Sequence, residues 1–363
     1  MKEKIKVGVF LGTLSYSIKE WEEKWLNDEV NDSYPYGYDR ANKDEVDLEY
    51  ISLNKIEQFF CKNKIILNLY LYFIKLPIVL PKYDIVWTHY DKDSLHIAKL
   101  KKIPIIGNIY PKHIGCFVWL IDKSKYYSKT KIRYISKLLN NIDRIIYLAH
   151  TEGEIFHNKF NIPKNRLNYV RFGINMNSYS DKSNMIKPEF MKDIDEYIFS
   201  VGGDIHRNFD LLINVAEDMK DKNFIIGTQN ILKCGLKNVK VKTLNLKEMR
   251  YMYNNSLFVV VPLKYNEHAS GCTTILESAA MKKAVIVSDV PGIRDYVLDG
   301  KTGIVVPIGD KEKLKKAILY LSENPIIAQK MGENGFEYIK DKFTTDTWAN
   351  KHLYISKEIL SRE

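Results

Sequence analysis

The chain is poor in cysteine: Cys61, Cys116, Cys234 and Cys272 are all that 363 residues contain, and no two form a CxxC pair. Neither a disulfide framework nor a cysteine-based zinc site is indicated, so a reducing cytoplasm is the expected compartment. Residues 1–6 are charged and lead straight into a strand-like stretch, with no signal-peptide core. A run of about 20 unbroken apolar residues is also missing, which excludes an ordinary transmembrane helix. The nearest approach is residues 65–80, where Asn68 and Lys75 interrupt the apolar run and Pro77 ends any helix. This segment reads as a buried helix of the first domain. The alternative is a membrane-facing amphipathic helix flanked by Lys62, Lys64, Lys75 and Lys82.

Two nucleotide signatures are missing as well. The loops Phe10-Leu-Gly12-Thr13-Leu-Ser15 and Val201-Gly202-Gly203-Asp204-Ile-His206 lack G-x-G-x-x-G, and no Walker A lysine loop occurs. Nicotinamide, flavin and P-loop chemistry therefore lose their main support. No RNA- or DNA-binding motif accompanies the net charge of +10, whose lysines are spread along the chain. Nucleic acid is thus not an expected partner, while an anionic membrane surface or phosphorylated substrates fit that charge.

What the chain does have is enough apolar residue, 45%, for two packed cores. Short β-rich runs alternate with longer helical patterns, as in parallel βαβ construction. In the first half the expected strands are 6–11, 47–52, 85–88, 103–108, 144–148 and 168–172. In the second they are 197–201, 224–227, 239–242, 257–262, 284–288 and 303–306. The polar stretch 175–196 separates the two series. The expected architecture is α/β: two Rossmann-like, doubly wound parallel-sheet domains facing each other across a cleft. Residues 1–190 form the acceptor-side domain, 191–345 the donor-side domain, and 346–363 a C-terminal helix.

The strongest chemical signal lies between Asn266 and Asp310. A strand ends in a polar loop, and a helix opens near Thr273. First-turn amides without intrahelical partners, added to the helix dipole, make an anion site there. Gly271 lets a ligand approach the backbone. Glu277, one turn in, is placed to accept hydrogen bonds from vicinal hydroxyls, as on a ribose. Equally, Thr274-Ile-Leu-Glu277 fits a capping box, in which Glu277 only satisfies backbone donors.

The ordered series Val285-Ile-Val-Ser-Asp289, Pro291-Gly-Ile-Arg-Asp295, Asp299-Gly-Lys-Thr-Gly303 and Pro307-Ile-Gly-Asp310 resembles the donor-binding region of glycosyltransferase family 4, glycosyl transferases group 1, on the GT-B fold. The resemblance implies that Glu277 is the second glutamate of an E-(seven residues)-E pattern and holds the nucleotide ribose. Ala269 stands where the first glutamate would be, in a loop reading Ala-Ser270-Gly271-Cys272-Thr273. Residues 199–213 resemble the family's glycine turn, in which an arginine and a lysine grip the donor diphosphate. Arg207 falls on the lysine position and Gly203 on the arginine position, beside Gly202. Residues 171–177 resemble the turn before the inter-domain linker, and residues 343–348 the start of the helix that crosses back to the first domain.

These matches imply donor-site residues Gly202, Gly203, Arg207, Ser270, Gly271, Cys272, Thr273 and Glu277. The resemblance also implies a histidine on the acceptor side. His89 and His113 each follow an expected strand and are the two choices, with Gly12, Thr13 and Tyr36 near the acceptor. Asp91-Lys-Asp93 mimics a D-x-D metal motif but reads as a solvated loop, and no metal or other cofactor is expected. The implied activity is retaining transfer of a hexose-type sugar from a nucleotide diphosphate sugar to a glycan or lipid-linked acceptor, in cell-surface polysaccharide or glycoconjugate synthesis. Arg207 and one of the two histidines would act catalytically. The implied location is cytoplasmic, at the inner face of the membrane. Rival readings are a non-catalytic subunit that binds a glycan or partner protein, and a sugar-nucleotide epimerase.

Overall fold

The computed structural model describes residues 3–12, 18–54, 57, 59, 64–103, 109–180 and 184–361. Thr13 lies outside them. Two compact units result: 1–26, 33–171 and 345–363 form the first, and 27–32 with 172–344 the second.

The first unit holds one parallel sheet of β1 (Ile5–Phe10), β2 (Val46–Ile51), β3 (Ile85–Thr88), β4 (Lys112–Cys116), β5 (Arg144–Tyr147) and β6 (Leu167–Tyr169). Their spatial order is β2-β1-β3-β4-β5-β6. The chain reverses direction of build between β1 and β3, and such a switch point is where open α/β sheets leave a crevice for ligands. The helix Thr345–Leu360 belongs to this unit and lays Trp348, Leu353 and Ile359 into it. Its Ser356 Oγ accepts from Trp87 Nε1 on β3 at 2.9 Å.

The second sheet contains β7 (Ile198–Val201), β8 (Phe224–Gly227), β9 (Val239–Lys242), β10 (Val259–Val261), β11 (Val285–Ser288) and β12 (Gly303–Val306). The order β9-β8-β7-β10-β11-β12 is the Rossmann arrangement, with its switch point between β7 and β10. Helices on both faces explain why the strand residues 259–261 and 285–287 are unbroken valine and isoleucine with almost no exposure. The helix Phe209–Glu217, capped by Asn208, closes one face with Leu212, Val215 and Ala216.

Three expectations need correction. The strand paired between β3 and β5 is 112–116, while the expected strand 103–108 lies, but for Ile103, outside the described residues. The observed strand, Lys-His-Ile-Gly-Cys, hides behind a basic residue and a glycine. The first unit ends at 171 rather than 190. Ile174 already pairs with the far end of the second unit, its N–H donating to Phe343 O, and Phe172 N–H donates to Tyr296 Oη at 3.1 Å. Residues 27–32 join the second unit because Asp28 forms a double hydrogen bond with the buried Arg250 guanidinium, at 2.6 and 2.7 Å. Nothing in the spacing of the sequence foretells that ion pair.

The helical run 64–82 is the third correction, since it is not buried all round. Leu71, Leu76 and Leu80 enter the core, while Ile65 (70%), Phe73 (73%) and Ile78 (64%) are exposed. Among the described residues no helix is long and apolar enough to cross a membrane.

Candidate functional site

In the second unit the carboxyl ends of β7 and β10 lie side by side at the switch point. The loop after β7 is laced to the loop after β10: Asn208 N–H donates to Pro262 O, and Lys264 N–H to His206 O. A cavity of about 420 Å³ opens there, lined among others by Gly202, Gly203, Asp204, Arg207, Gly271, Thr273 and Glu277.

Arg207 is the centre of it. Its side chain is only 7% exposed, and one guanidinium nitrogen donates to Thr274 Oγ1 at 2.7 Å. Nε and the other terminal nitrogen are buried without a hydrogen-bond partner. Burial presses the guanidinium pKa downward. An unmatched buried donor ordinarily costs ~1–3 kcal/mol, more when charged. Two such donors on a cavity wall therefore mark a place prepared for an anion.

Two glycines make room for that guanidinium. Gly202 has φ 154°, and a Cβ built there would lie 2.2 Å from Arg207 Nε. Gly271 has φ 86° and would bring a Cβ within 3.0 Å of the same guanidinium and 2.8 Å of Val261. It also starts the helix Cys272–Ala280 without a side-chain cap. That helix points its N-terminus at the cavity, which favours negative charge. The Cys272 amide is not free for the task, because it donates to Ala269 O at 3.1 Å.

Glu277 lies on the same helix and faces the cavity. Its carboxylate accepts from Tyr253 Oη at 2.7 Å and is also hydrogen-bonded by Tyr179. Burial raises its pKa, while those two phenols and the Arg207 charge oppose the rise. The capping-box reading is overturned: the helix cap is Gly271, and Thr274, inside the first turn, serves Arg207 instead. Neither tyrosine had a sequence signal, since each is 24 residues or more from Glu277 and in no motif.

Asp204 shares the rim. Burial would raise its pKa, yet hydrogen bonds from His268, the His206 amide and Ser270 hold it below the usual carboxylate range. Ser270 and Cys272 are both buried and do not line the cavity. Ser270 Oγ donates to Asp204 at 2.6 Å, and burial pushes the Cys272 thiol up to about 12.

In the first unit His89 sits just past β3, at the switch point, where Gly12 follows β1. Its Nδ1 is 2.9 Å from Tyr38 Oη, and Tyr36 stacks on its ring at 3.6 Å between centroids. Burial lowers its pKa to about 3, so the imidazole is neutral at physiological pH. Tyr36 has φ 61° and ψ 11°, a left-handed backbone that aromatic residues rarely adopt. His113 does not follow a strand. It lies within β4, fully buried, with Nε2 3.0 Å from Thr88 Oγ1 and its backbone N–H donating to Asp143 at 2.8 Å. It supports the sheet. Asp91 and Asp93 are likewise no solvated loop: both are buried in the first turn of the helix Asp91–Lys101, and Asp91 Oδ1 accepts the amides of Val118 and Trp119.

A GT-B architecture is what these two sheets define, and solved structures agree. Over 99% of its length the chain superposes on all of Anabaena HepE, crystallised in complex with UDP and glucose, with TM-score 0.69 at 13% identity. Residues 181–338 match the model of glycosyl transferases group 1. Among curated proteins it is 30% identical to alpha-D-kanosaminyltransferase of Streptomyces kanamyceticus over 28% of the chain and 25% of that protein. It is 23% identical to the capsular polysaccharide biosynthesis glycosyltransferase CapM of Staphylococcus aureus, over 63% of the chain and 61% of CapM. The chain therefore spans from about a fifth to about three fifths of the curated relatives it matches.

The glycine clearance makes a direct prediction. Gly202→Ala drives a methyl group into Arg207 and should weaken nucleoside diphosphate binding roughly tenfold or more, as far as Arg207→Ala does. Gly235→Ala, whose Cβ meets nothing within 4 Å, is the control. Titration calorimetry with UDP, GDP, ADP and CDP reads the effect; wild-type affinity in Gly202→Ala would remove Arg207 from the site.

Proposed function

We propose that the protein is a retaining glycosyltransferase that takes a hexose-type sugar from a nucleoside diphosphate sugar and passes it to a glycan or lipid-linked acceptor. The observation that carries this reading is the buried Arg207 guanidinium, two of its donors unmatched, on the wall of a cavity that Glu277 also lines. The diphosphate lies against Arg207 and the helix N-terminus, and the ribose hydroxyls reach the Glu277 carboxylate. The relative named for capsular polysaccharide biosynthesis supports a role in cell-surface polysaccharide or glycoconjugate synthesis.

In the reaction the bond between the anomeric carbon and the diphosphate oxygen breaks while the acceptor oxygen bonds to that carbon. The acceptor's proton goes to the departing phosphate on the same face, so configuration is retained and no protein nucleophile is needed. Charge grows on the bridging oxygen, and Arg207 is the preorganised donor for it. His89, held neutral and oriented by Tyr38 and Tyr36, is positioned as an acceptor-side hydrogen-bonding group. Neither the subunit nor the epimerase alternative gains a specific observation.

The exposed apolar residues Ile65, Phe73 and Ile78, on a helical run that ends at the exposed Lys82, support a further element of the proposal. They fit peripheral contact with an anionic membrane, where a lipid-linked acceptor would reside.

Two experiments test these statements. With the correct donor, Arg207→Ala should lower kcat/KM by roughly 100- to 1,000-fold, and Glu277→Gln should raise the donor KM by about tenfold or more. The product anomer, read by NMR, should match the donor's. An inverted product, or transfer undiminished in both variants, would sink the mechanism. Phe73→Asp/Ile78→Asp should abolish sedimentation with phosphatidylglycerol vesicles, and undiminished sedimentation would refute the membrane contact.

A further inference from the structure

Among the described residues one group of metal-ligating side chains comes together, Asp204, His206 and His268, and its Asp204 lines the cavity. His206 Nδ1 is 3.2 Å from Asp204 Oδ1, and His268 Nε2 is 3.4 Å from Asp204 Oδ2. The two imidazole rings stand 5.0 Å apart at 67°. All three ligand atoms fall within 4.8 Å of one another. A tetrahedral zinc ion with bonds of about 2.0–2.1 Å holds neighbouring ligand atoms about 3.3 Å apart. Both carboxylate–imidazole distances bracket that value.

The cluster is held by its surroundings. His206 N–H donates to Asp204 Oδ1 at 2.8 Å, closing a tight turn, and Arg207 N–H donates to Asp204 O. Ser270 Oγ donates to Asp204 Oδ2 at 2.6 Å, the kind of outer support that orients a ligating carboxylate. A second turn, Ser270 N–H to His268 O at 2.8 Å, fixes His268. The ligands thus come from the β7 loop and the β10 loop, which the backbone already joins.

Charge gives the arrangement a purpose. Among the residues lining the cavity, one guanidinium, Arg207, faces two carboxylates, Asp204 and Glu277. A diphosphate would enter a site that is net negative by one charge, and like charges in a partly desolvated cavity repel strongly. A divalent ion on Asp204 reverses that balance.

We propose that Asp204, His206 and His268 bind a divalent transition-metal ion, zinc by ligand type, whose remaining coordination positions take water or diphosphate oxygens. Two imidazoles and one carboxylate suit zinc, iron, cobalt or nickel rather than magnesium. The second part of this inference rests on the donor reading given above; the metal site itself does not. GT-B resemblance implies no metal, so the site is a property of this chain's own loops.

The test uses the whole chain, stripped with EDTA and desalted, then titrated with Co²⁺ while visible absorption is recorded. The expected result is saturable binding of one Co²⁺ per chain with a d–d spectrum of low coordination number, displaced by Zn²⁺. Asp204→Asn and His206→Ala should each weaken it by about 10- to 100-fold, with thermal unfolding of the stripped proteins confirming that they remain folded. No saturable binding, or binding that both substitutions leave intact, would overturn the site. UDP, GDP, ADP and CDP are then titrated into stripped and zinc-loaded protein. Tighter diphosphate binding with zinc supports the phosphate role, and equal binding overturns it. If no nucleoside diphosphate binds in either state, the donor reading fails while the cobalt titration still decides the metal site.

Discussion

A guanidinium removed from water with two of its donors unmatched is an unfavourable thing to fold around, and the second unit is arranged so that Arg207 does so. Three features follow from that one placement. Gly202 and Gly271 must lack side chains, because a Cβ at either meets the guanidinium. Thr274 must sit in the first turn of the helix Cys272–Ala280 to accept one of its N–H groups. The β7 and β10 loops must be joined, and the bonds from Asn208 to Pro262 and from Lys264 to His206 join them. The folding cost is offset by the sheet beneath, where residues 259–261 and 285–287 are sealed in the core.

The carboxylate end of the cavity obeys the same logic with opposite sign. Glu277 is kept from water, and its charge is shared among Tyr253, Tyr179 and the field of Arg207. On the proposed reading, a ribose hydroxyl pair would meet here an acceptor whose orientation is already fixed. Asp204 is likewise fixed by Ser270, His206 and His268. The cavity is therefore rigid and polar, with acceptor and donor functions at separate places on its wall.

How much of this was legible beforehand depended on whether the cause was local. Strands 85–88 and 224–227 could be read to the residue because a strand buried on both faces must be a short apolar run, and the edge strands 239–242 and 303–306 because β-branched residues stand between turn residues. Strand 112–116 could not, because His113 is tolerated in a sheet interior only through its tertiary partners Thr88 and Asp143. Gly271 and Glu277 were visible since a helix start leaves marks in sequence, and Gly202 and Arg207 through the family resemblance of residues 199–213. Tyr179 and Tyr253, which hold Glu277, left none. The unit boundary slipped for a similar reason: polar composition at 175–196 suggests a linker, but Ile174 and Tyr179 are buried by contacts with distant segments. His268 stood in the motif region unassigned until Asp204 was found beside it.

The central claim is that Arg207 and its helix are built for a diphosphate. Calorimetric comparison of a nucleoside diphosphate with the corresponding monophosphate tests it most directly, on wild type and on Arg207→Ala, with EDTA present throughout. The account predicts that wild type binds the diphosphate about tenfold or more tightly than the monophosphate, and that the preference collapses in the variant. Equal affinity for the two ligands in wild type, or a preference that survives the loss of Arg207, would contradict it.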